Sequence, residues 1–176
     1  MSASGKTVVL GISGGIAAYK ACEIVSRLHK ADVRVHVIMT KNACEFVTPL
    51  TLQTLSLNPV AVDTFEAPQA WEVEHISLAK KADVLLIAPA TANIIAKLAL
   101  GIADDMLTTT ALATQAPLLI APAMNPAMWA AKATRRNTEM LKADGIRFIG
   151  PERGEMAESG EAGLGRMAEP LAIAAA

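Results

Sequence analysis

Short apolar runs alternate with stretches of helical periodicity along this chain. Four runs are rich in β-branched or aliphatic residues and are bounded by glycine, proline or polar residues, a pattern typical of buried strands. They cover residues 7–12, 33–39, 84–88 and 118–121, and residues 147–150 are a further candidate. Residues 16–30 predict an amphipathic helix whose apolar stripe contains Ile16, Tyr19, Ile24 and Leu28. A second long helical stretch is predicted over residues 126–144.

The alternation of strand and helix predicts a parallel sheet, because each crossover helix must bury its apolar stripe against that sheet. We therefore expect an α/β fold of three layers, a Rossmann-like (flavodoxin-like) doubly wound parallel sheet. Ligands of such folds bind beyond the carboxyl ends of the strands. Nothing in the sequence divides the chain, so we expect a single domain over residues 1–176. The glycine-rich stretch 150–165 has no obvious element, and we expect a mobile functional loop there.

Composition narrows the class of protein. The 176 residues are 52% hydrophobic and 3% aromatic, with a formal net charge of -1. Lys and Arg are not clustered as nucleic-acid binding requires. No apolar run reaches the roughly 20 residues that span a bilayer, and the N-terminus lacks the apolar stretch of a signal peptide. We expect a cytoplasmic protein that binds neither nucleic acid nor membranes, with Cys22 and Cys44 unpaired.

Small and hydroxyl-bearing residues follow the predicted strands. The turn GISGGI at residues 11–16 opens a helix, where backbone amides and the Ser13 hydroxyl can meet a phosphate. The alternative is a tight turn with Ser13 as N-cap. This turn matches neither the dinucleotide pattern nor the phosphate-binding P-loop, which disfavours a nicotinamide enzyme. Thr40 either hydrogen-bonds the same phosphate or caps the next helix. The side chains of residues 88–93 (APATAN) are mostly small, so a flat ring could lie against them.

Three further positions carry candidate chemistry. Asp104 and Asp105 suggest a metal or acid–base site, but acids at a helix start are stabilised by the helix dipole, so we favour capping and predict no metal. Asn125 precedes a proline suited to a first helical turn, so it either caps that helix or donates its amide to a ligand carboxylate. His75 begins a predicted short helix beside the strand-end cleft, where a histidine can relay a proton. A structural role is the alternative for His75.

Several segments together resemble one enzyme family. They are GISGGIAAYK, TPLTLQTLSLNPV, EHISLAKKAD, PATANIIAKLALGIADDMLTTT, APAMNPAMW and GLGRMAEP. The chain resembles the phosphopantothenoylcysteine decarboxylases of coenzyme A biosynthesis, within the homo-oligomeric flavin-containing cysteine decarboxylases. The resemblance covers nearly the whole chain. PAMNPAMW combined with an upstream histidine is specific, whereas the glycine turn alone is a weak signal.

This resemblance implies a Rossmann-like subunit that binds FMN between neighbouring subunits of a trimer, with trimers often assembled into dodecamers. It implies that the cysteine thiol of phosphopantothenoylcysteine is oxidised to a thioaldehyde, that carbon dioxide leaves, and that the resulting enethiol is reduced to 4'-phosphopantetheine. His75 would be the active-site histidine, and Asn125 and Met128 would bind the substrate. The implied flavin contacts are Ser13, Gly14, Gly15, Thr40, Ala90, Thr91, Asn93, Met106 and Thr108.

One position departs from the family pattern. Ser159 stands where the family's mobile loop commonly carries a proton-donating cysteine, and a serine hydroxyl is a far weaker acid than a thiol. This gives weight to a peptidyl-cysteine decarboxylase, whose chemistry ends at the enethiol. A flavin prenyltransferase is disfavoured by His75 and the PAMNPAMW segment, and a non-catalytic regulatory flavoprotein by His75 and Asn125. Because bifunctional family members carry a second domain, a fused or separate phosphopantothenate–cysteine ligase is an expected partner.

Overall fold

The computed structural model describes residues 4–65, 73–155 and 162–176. Its main sheet contains β1 (Thr7–Ile12), β2 (Arg34–Met39), β3 (Val60–Ala61), β4 (Val84–Ala90), β5 (Leu118–Pro122) and β6 (Arg147–Phe148). These six strands lie in the order β3-β2-β1-β4-β5-β6, and every pairing is parallel. The predicted α/β fold with a doubly wound parallel sheet is therefore confirmed.

Helices cover both faces of this sheet. They are α1 (Lys20–Lys30), α2 (Pro49–Ser56), α3 (Glu74–Lys81), α4 (Ala92–Leu100), α5 (Met106–Ala113), α6 (Pro126–Ala130), α7 (Lys132–Ala143) and α8 (Pro170–Ala175). Two 3₁₀-helices, Ile16–Tyr19 and Lys41–Glu45, follow β1 and β2. None of the helices in the described part of the chain is long and apolar enough to cross a membrane.

Two separate hydrophobic cores result, because successive side chains of a strand point to opposite faces. Leu10 and Ile12 of β1 belong to a core with buried residues of α1, α2 and α8. Val9 of β1 belongs to the other core, with buried residues of α3, α4, α5 and α7. The continuous apolar character of β1 thus reflects burial on both faces. The prediction of a single domain over residues 1–176 stays a prediction.

Two details of the predicted helices are wrong. Ile16 and Tyr19 are 61% and 59% exposed and do not share the buried stripe of α1. They lie in a 3₁₀-helix, where residues three apart eclipse each other, so both side chains lie on one face, which here is exposed. The stretch 126–144 is also two helices, because Ala131 between α6 and α7 has an extended ψ of 136° that interrupts the helical backbone.

The expectation that residues 150–165 lack regular structure is wrong for their described part. β7 (Glu152–Glu155) pairs antiparallel with β8 (Ala162–Arg166). These strands consist largely of glycine and charged residues, so the apolar signal of a buried strand is missing from the sequence. The predicted mobility of the connecting loop concerns residues 156–161, which lie outside the described residues.

Gly11 of β1 allows α5 to approach the sheet closely. A Cβ atom at this position would lie 2.3 Å from Cδ1 of Leu107 in α5, and Leu107 is fully buried. A larger residue here would have to displace that side chain from a packed core, where overpacking is destabilising. Gly11 therefore sets the distance between β1 and α5.

We predict that Gly11→Ala lowers the free energy of unfolding by about 1–3 kcal/mol through this overpacking. Leu107→Ala alone should cost about 2–5 kcal/mol through the cavity that it leaves. Because the added methyl group fills part of that cavity, the double variant should lose less than the sum of both single losses. Urea unfolding of the three variants at one protein concentration measures this, and additive losses would show that the two residues do not interact.

Candidate functional site

The candidate site lies where the order of the sheet changes direction. The chain proceeds from β1 to β2 and β3 on one side, and β4 then pairs with the other side of β1. Loops that leave the carboxyl ends of two such strands diverge to opposite faces and open a crevice between them. The residues that follow β1 and β4 therefore form the centre of the site.

Ser13 ties these two strand ends together. Its hydroxyl donates to the carbonyl oxygen of Pro89 over 2.8 Å and accepts from the backbone N–H of Thr91 over 3.0 Å. The side chain is 1% exposed. The alternative in which Ser13 caps the next helix is wrong, because Gly15 occupies the N-cap position and no side chain caps that end. Because the Ser13 hydroxyl already donates its only proton to Pro89, it has none left to donate to a ligand. Its role is therefore to hold the wall of the site in place.

A cavity of about 650 Å³ opens at this edge of the sheet. This volume lies within the range of small-molecule and cofactor sites. The structure brings seven of the predicted site residues together in its lining: Ser13, Gly14, Thr40, Thr91, Asn93, Met106 and Met128. These residues come from distant parts of the sequence and meet because the carboxyl ends of parallel strands share one edge.

Three other predicted flavin contacts, Gly15, Ala90 and Thr108, do not line the cavity. Ala90 is fully buried at the end of β4, and a Cβ atom on Gly15 would lie 3.5 Å from Cγ2 of Thr91. Thr108 is 1% exposed, and its hydroxyl donates to Oδ1 of Asp105 over 2.8 Å. In the described structure these residues support the wall of the cavity without lining it.

One part of the lining offers uncharged hydrogen-bond donors. Thr40 caps the 3₁₀-helix after β2 by accepting from the N–H of Ala43, and Thr91 caps α4 by accepting from the N–H of Ile94. In both cases the hydroxyl oxygen is used and its proton is left to donate. Capping and ligand binding, which the sequence presents as alternatives for Thr40, are therefore compatible.

Asn42 also lines the cavity, and it was not predicted. Its backbone packs so closely against Gly14 that a Cβ atom there would lie 2.9 Å from the Asn42 carbonyl oxygen. The glycine at position 14 is thus required for this loop contact. The segment MTKN at the end of β2 offered a polar residue here, but only the fold shows which residues of that segment line the crevice.

A fixed ion-pair network forms another wall. Nζ of Lys97 donates to Asp104 over 2.6 Å and to Asp105 over 3.1 Å. Asp105 also caps α5 in a capping box with Thr108, which confirms the capping interpretation of the paired acids. Burial raises the pKa of Asp105, but hydrogen bonds from Thr108 and Lys97 outweigh it and hold that pKa below its ordinary value. The hydrogen bond to Asp104 chiefly raises the pKa of Lys97.

Apolar side chains complete the lining. Ile94, Met106 and Met128 contribute to the walls, and Phe65, which is 94% exposed, also borders the cavity. An exposed ion pair between Lys41 and Asp63, 2.8 Å apart, lies in the lining as well. Both lysines that line the cavity are consequently paired with aspartates, so the free hydrogen-bonding capacity comes mainly from hydroxyl and amide groups.

Asn125 caps α6 and keeps its amide donors. Its Oδ1 accepts from the N–H of Ala127 over 2.8 Å, which fixes the side-chain orientation and leaves the NH₂ group without a partner in the described part of the chain. Glycines of β8 pack directly on this turn: a Cβ atom on Gly165 would lie 2.2 Å from the carbonyl oxygen of Met124. Only glycine fits at positions 163 and 165 of the GLGRM segment, because both positions pack against the turn that contains Asn125.

His75, one of the two predicted catalytic residues, is not brought into this cavity. His75 lies in the first turn of α3 and is half-buried, outside the cavity lining. Because the carboxyl end of α3 leads into the start of β4, its first turn lies toward the same edge of the sheet as the cavity. Ser159 lies outside the described residues.

Known proteins are similar to this chain over nearly its whole length. The family model described as Flavoprotein matches residues 1–176. The coenzyme A biosynthesis bifunctional protein CoaBC of Bacillus subtilis is 52% identical over 165 residues, which are 94% of this chain and 40% of that protein. The CoaBC protein of Escherichia coli is 46% identical over 173 residues, 98% of this chain and 42% of that protein. The chain thus spans about two fifths of the length of these relatives.

Solved structures agree in fold and size. A mutant PPC decarboxylase complexed with pantothenoylaminoethenethiol superposes with a TM-score of 0.86 at 34% identity, covering 97% of this chain and 94% of that chain. By these measures, the sequence similarity and the shared fold extend across both molecules. The chain is a member of the Flavoprotein family, and that family implies a flavin cofactor.

Proposed function

We propose that this chain binds FMN and decarboxylates the cysteine end of 4'-phosphopantothenoylcysteine, giving 4'-phosphopantetheine in coenzyme A biosynthesis. The observation that carries this proposal is the cavity at the carboxyl ends of β1 and β4, where the strand order of the sheet changes direction. The turn that contains Asn125 follows the neighbouring strand β5. The similarity to CoaBC proteins and to a structure described as a PPC decarboxylase supports it.

The lining of the cavity fits FMN in its chemistry. FMN joins a flat, largely apolar ring system to a polar chain of hydroxyl groups that ends in a phosphate. Thr40, Thr91 and Asn93 offer neutral donors suited to the polar chain, and Met106 and Met128 offer apolar contacts suited to the ring. Gly15, Ala90 and Thr108 would hold these groups in place from behind.

The reaction requires an electron acceptor and a group that binds the substrate carboxylate. When bound, FMN supplies a two-electron oxidant for the cysteine thiol, which makes loss of carbon dioxide feasible, and the electrons return to the product. Asn125 would donate its two amide hydrogens to the carboxylate, and its capping bond to Ala127 would hold the amide in that orientation. Met128, in the first turn of α6, would contact the substrate beside it.

His75 would supply proton transfer from a neighbouring subunit. Its position outside the cavity of its own chain is consistent with a site completed between subunits. Val73 and Ile76, which flank it, are 56% and 36% exposed, so this helix presents apolar surface that a second copy can cover. The assembly we propose is a trimer, or a dodecamer built from trimers, with a fused or separate phosphopantothenate–cysteine ligase as its partner.

Asn125→Asp tests the role of the amide. Aspartate preserves the cap of α6 but replaces two donors with a charge that repels the substrate carboxylate. We expect kcat/KM for carbon dioxide release to fall by about 100-fold or more, with FMN content unchanged. Asn125→Ser, which also caps but adds no charge, should lose less than the aspartate variant. Wild-type rates in both variants would show that Asn125 does not hold the carboxylate.

Ser159 raises a separate expectation for the last half-reaction. A serine is a poor proton donor compared with cysteine, so within a single turnover of the FMN-loaded protein we expect carbon dioxide release to be faster than formation of 4'-phosphopantetheine. Ser159→Cys should bring the two rates together. Measuring both products in one assay tests this, and equal rates in the wild type would show that Ser159 does not limit the reduction.

The second candidate function is decarboxylation of a peptide that ends in cysteine. It is favoured by Ser159, because a reaction that ends at the enethiol needs no proton donor for a final reduction. A substrate comparison separates the two functions. Faster carbon dioxide release from a cysteine-terminated peptide than from phosphopantothenoylcysteine would favour the second candidate.

A further inference from the structure

Resting on the function proposed above, we propose that Arg135 and the cavity that it lines bind the phosphate end of the substrate. This second cavity has a volume of about 360 Å³ and is formed by α6, α7 and β8. Its lining includes Trp129, Arg135, Thr138, Glu139, Lys142 and Leu164.

The second cavity adjoins the first through α6. Met128 lines the first cavity, and the next residue, Trp129, lines the second. Leu164 lies between the two β8 glycines that pack against residues 124–126, the segment that contains Asn125. A substrate whose carboxylate is held by Asn125 therefore has a second recess within reach, on the other side of one short helix.

The charges in this second cavity favour an anion. Lys142 lies 3.0 Å from the carboxylate of Glu139, so these two side chains neutralise each other. The Arg135 guanidinium has neither an ion pair nor a side-chain hydrogen bond among the residues that the structure describes, which leaves one uncompensated positive charge in this cavity. A guanidinium group matches the oxygens of a phosphate with two parallel hydrogen bonds. Lys41 and Lys97, the lysines of the first cavity, are by contrast already paired with aspartates.

Thr138 provides a further polar group at the wall of this cavity. Its side chain is 2% exposed, and its hydroxyl makes no hydrogen bond within the described residues. A buried hydroxyl is normally paired, since an unpaired one costs free energy. Together with Arg135, it marks the second cavity as a polar recess beside the apolar surfaces of Trp129 and Leu164.

The length of the substrate calls for a separate subsite for its phosphate. The carbon that loses carbon dioxide and the phosphorus atom are separated by about 11 covalent bonds, or roughly 12 Å in an extended chain. The phosphate must therefore lie well away from the groups that act on the cysteine end. Between them the pantothenoyl arm carries a branched apolar carbon, for which Trp129 and Leu164 offer contact surface.

The test compares two substrates on the FMN-loaded protein: 4'-phosphopantothenoylcysteine and pantothenoylcysteine, which lacks the phosphate. We expect Arg135→Gln to raise the KM of carbon dioxide release about tenfold for the phosphorylated substrate and to leave the KM for the other unchanged. Arg135→Lys keeps the charge but loses the planar guanidinium group. Its KM for the phosphorylated substrate should lie between those of Arg135→Gln and the wild type. Arg136→Gln is the matched control, because Arg136 is adjacent, is exposed as Arg135 is, and does not line the cavity.

An equal effect of Arg135→Gln on both substrates, no effect on either, or the same loss in Arg136→Gln would overturn the proposal. Failure of the proposed function looks different, because the wild type would then release carbon dioxide from neither substrate. Flavin absorbance and thermal unfolding of each variant are recorded alongside. The lysine variant keeps the comparison decisive if the glutamine variant loses its fold.

Discussion

One buried hydroxyl joins the two strands at which the sheet reverses its order. Ser13 donates to the carbonyl of Pro89 and accepts from the N–H of Thr91, so the ends of β1 and β4 are held by one side chain. The loops that line the candidate cavity start from these ends. Without this hydroxyl, the backbone N–H of Thr91 at the base of the crevice would lose its partner, and buried polar groups without partners are costly. The position of Thr91, and through it the start of α4, depends on this contact.

Capping residues serve two purposes around the same edge. Thr40, Thr91, Asp105 and Asn125 each accept a backbone N–H at a helix start, which orients the side chain. Three of them retain hydrogens that a ligand can accept, whereas Asp105 has none and pairs with Lys97 instead. The helix starts therefore preorganise the polar groups of the site, since the caps that stabilise the helices also fix the donors. This arrangement explains why small polar residues cluster after the strands.

The sequence predicted those features that depend on local pattern. β1 occupies residues 7–12 as expected, because a strand buried on both faces reads as one apolar run. Ser13, Thr40 and Thr91 could be placed at one edge from topology alone. The hairpin of β7 and β8 carries no apolar signal, and the exposure of Ile16 and Tyr19 depends on a 3₁₀ turn. The pairing of Lys97 with Asp104 depends on how α4 meets α5, which no local pattern encodes.

In the proposed function, a flavin bound in the β1–β4 cavity takes electrons from the substrate sulfur. This electron transfer can be followed by visible absorbance after rapid anaerobic mixing of the FMN-loaded protein with phosphopantothenoylcysteine. We expect the yellow absorbance of oxidised flavin to decrease during the first turnover after the substrate is added, and to remain when a serine analogue replaces the cysteine. A protein that does not retain FMN, or a spectrum that the thiol substrate leaves unchanged, would contradict the claim.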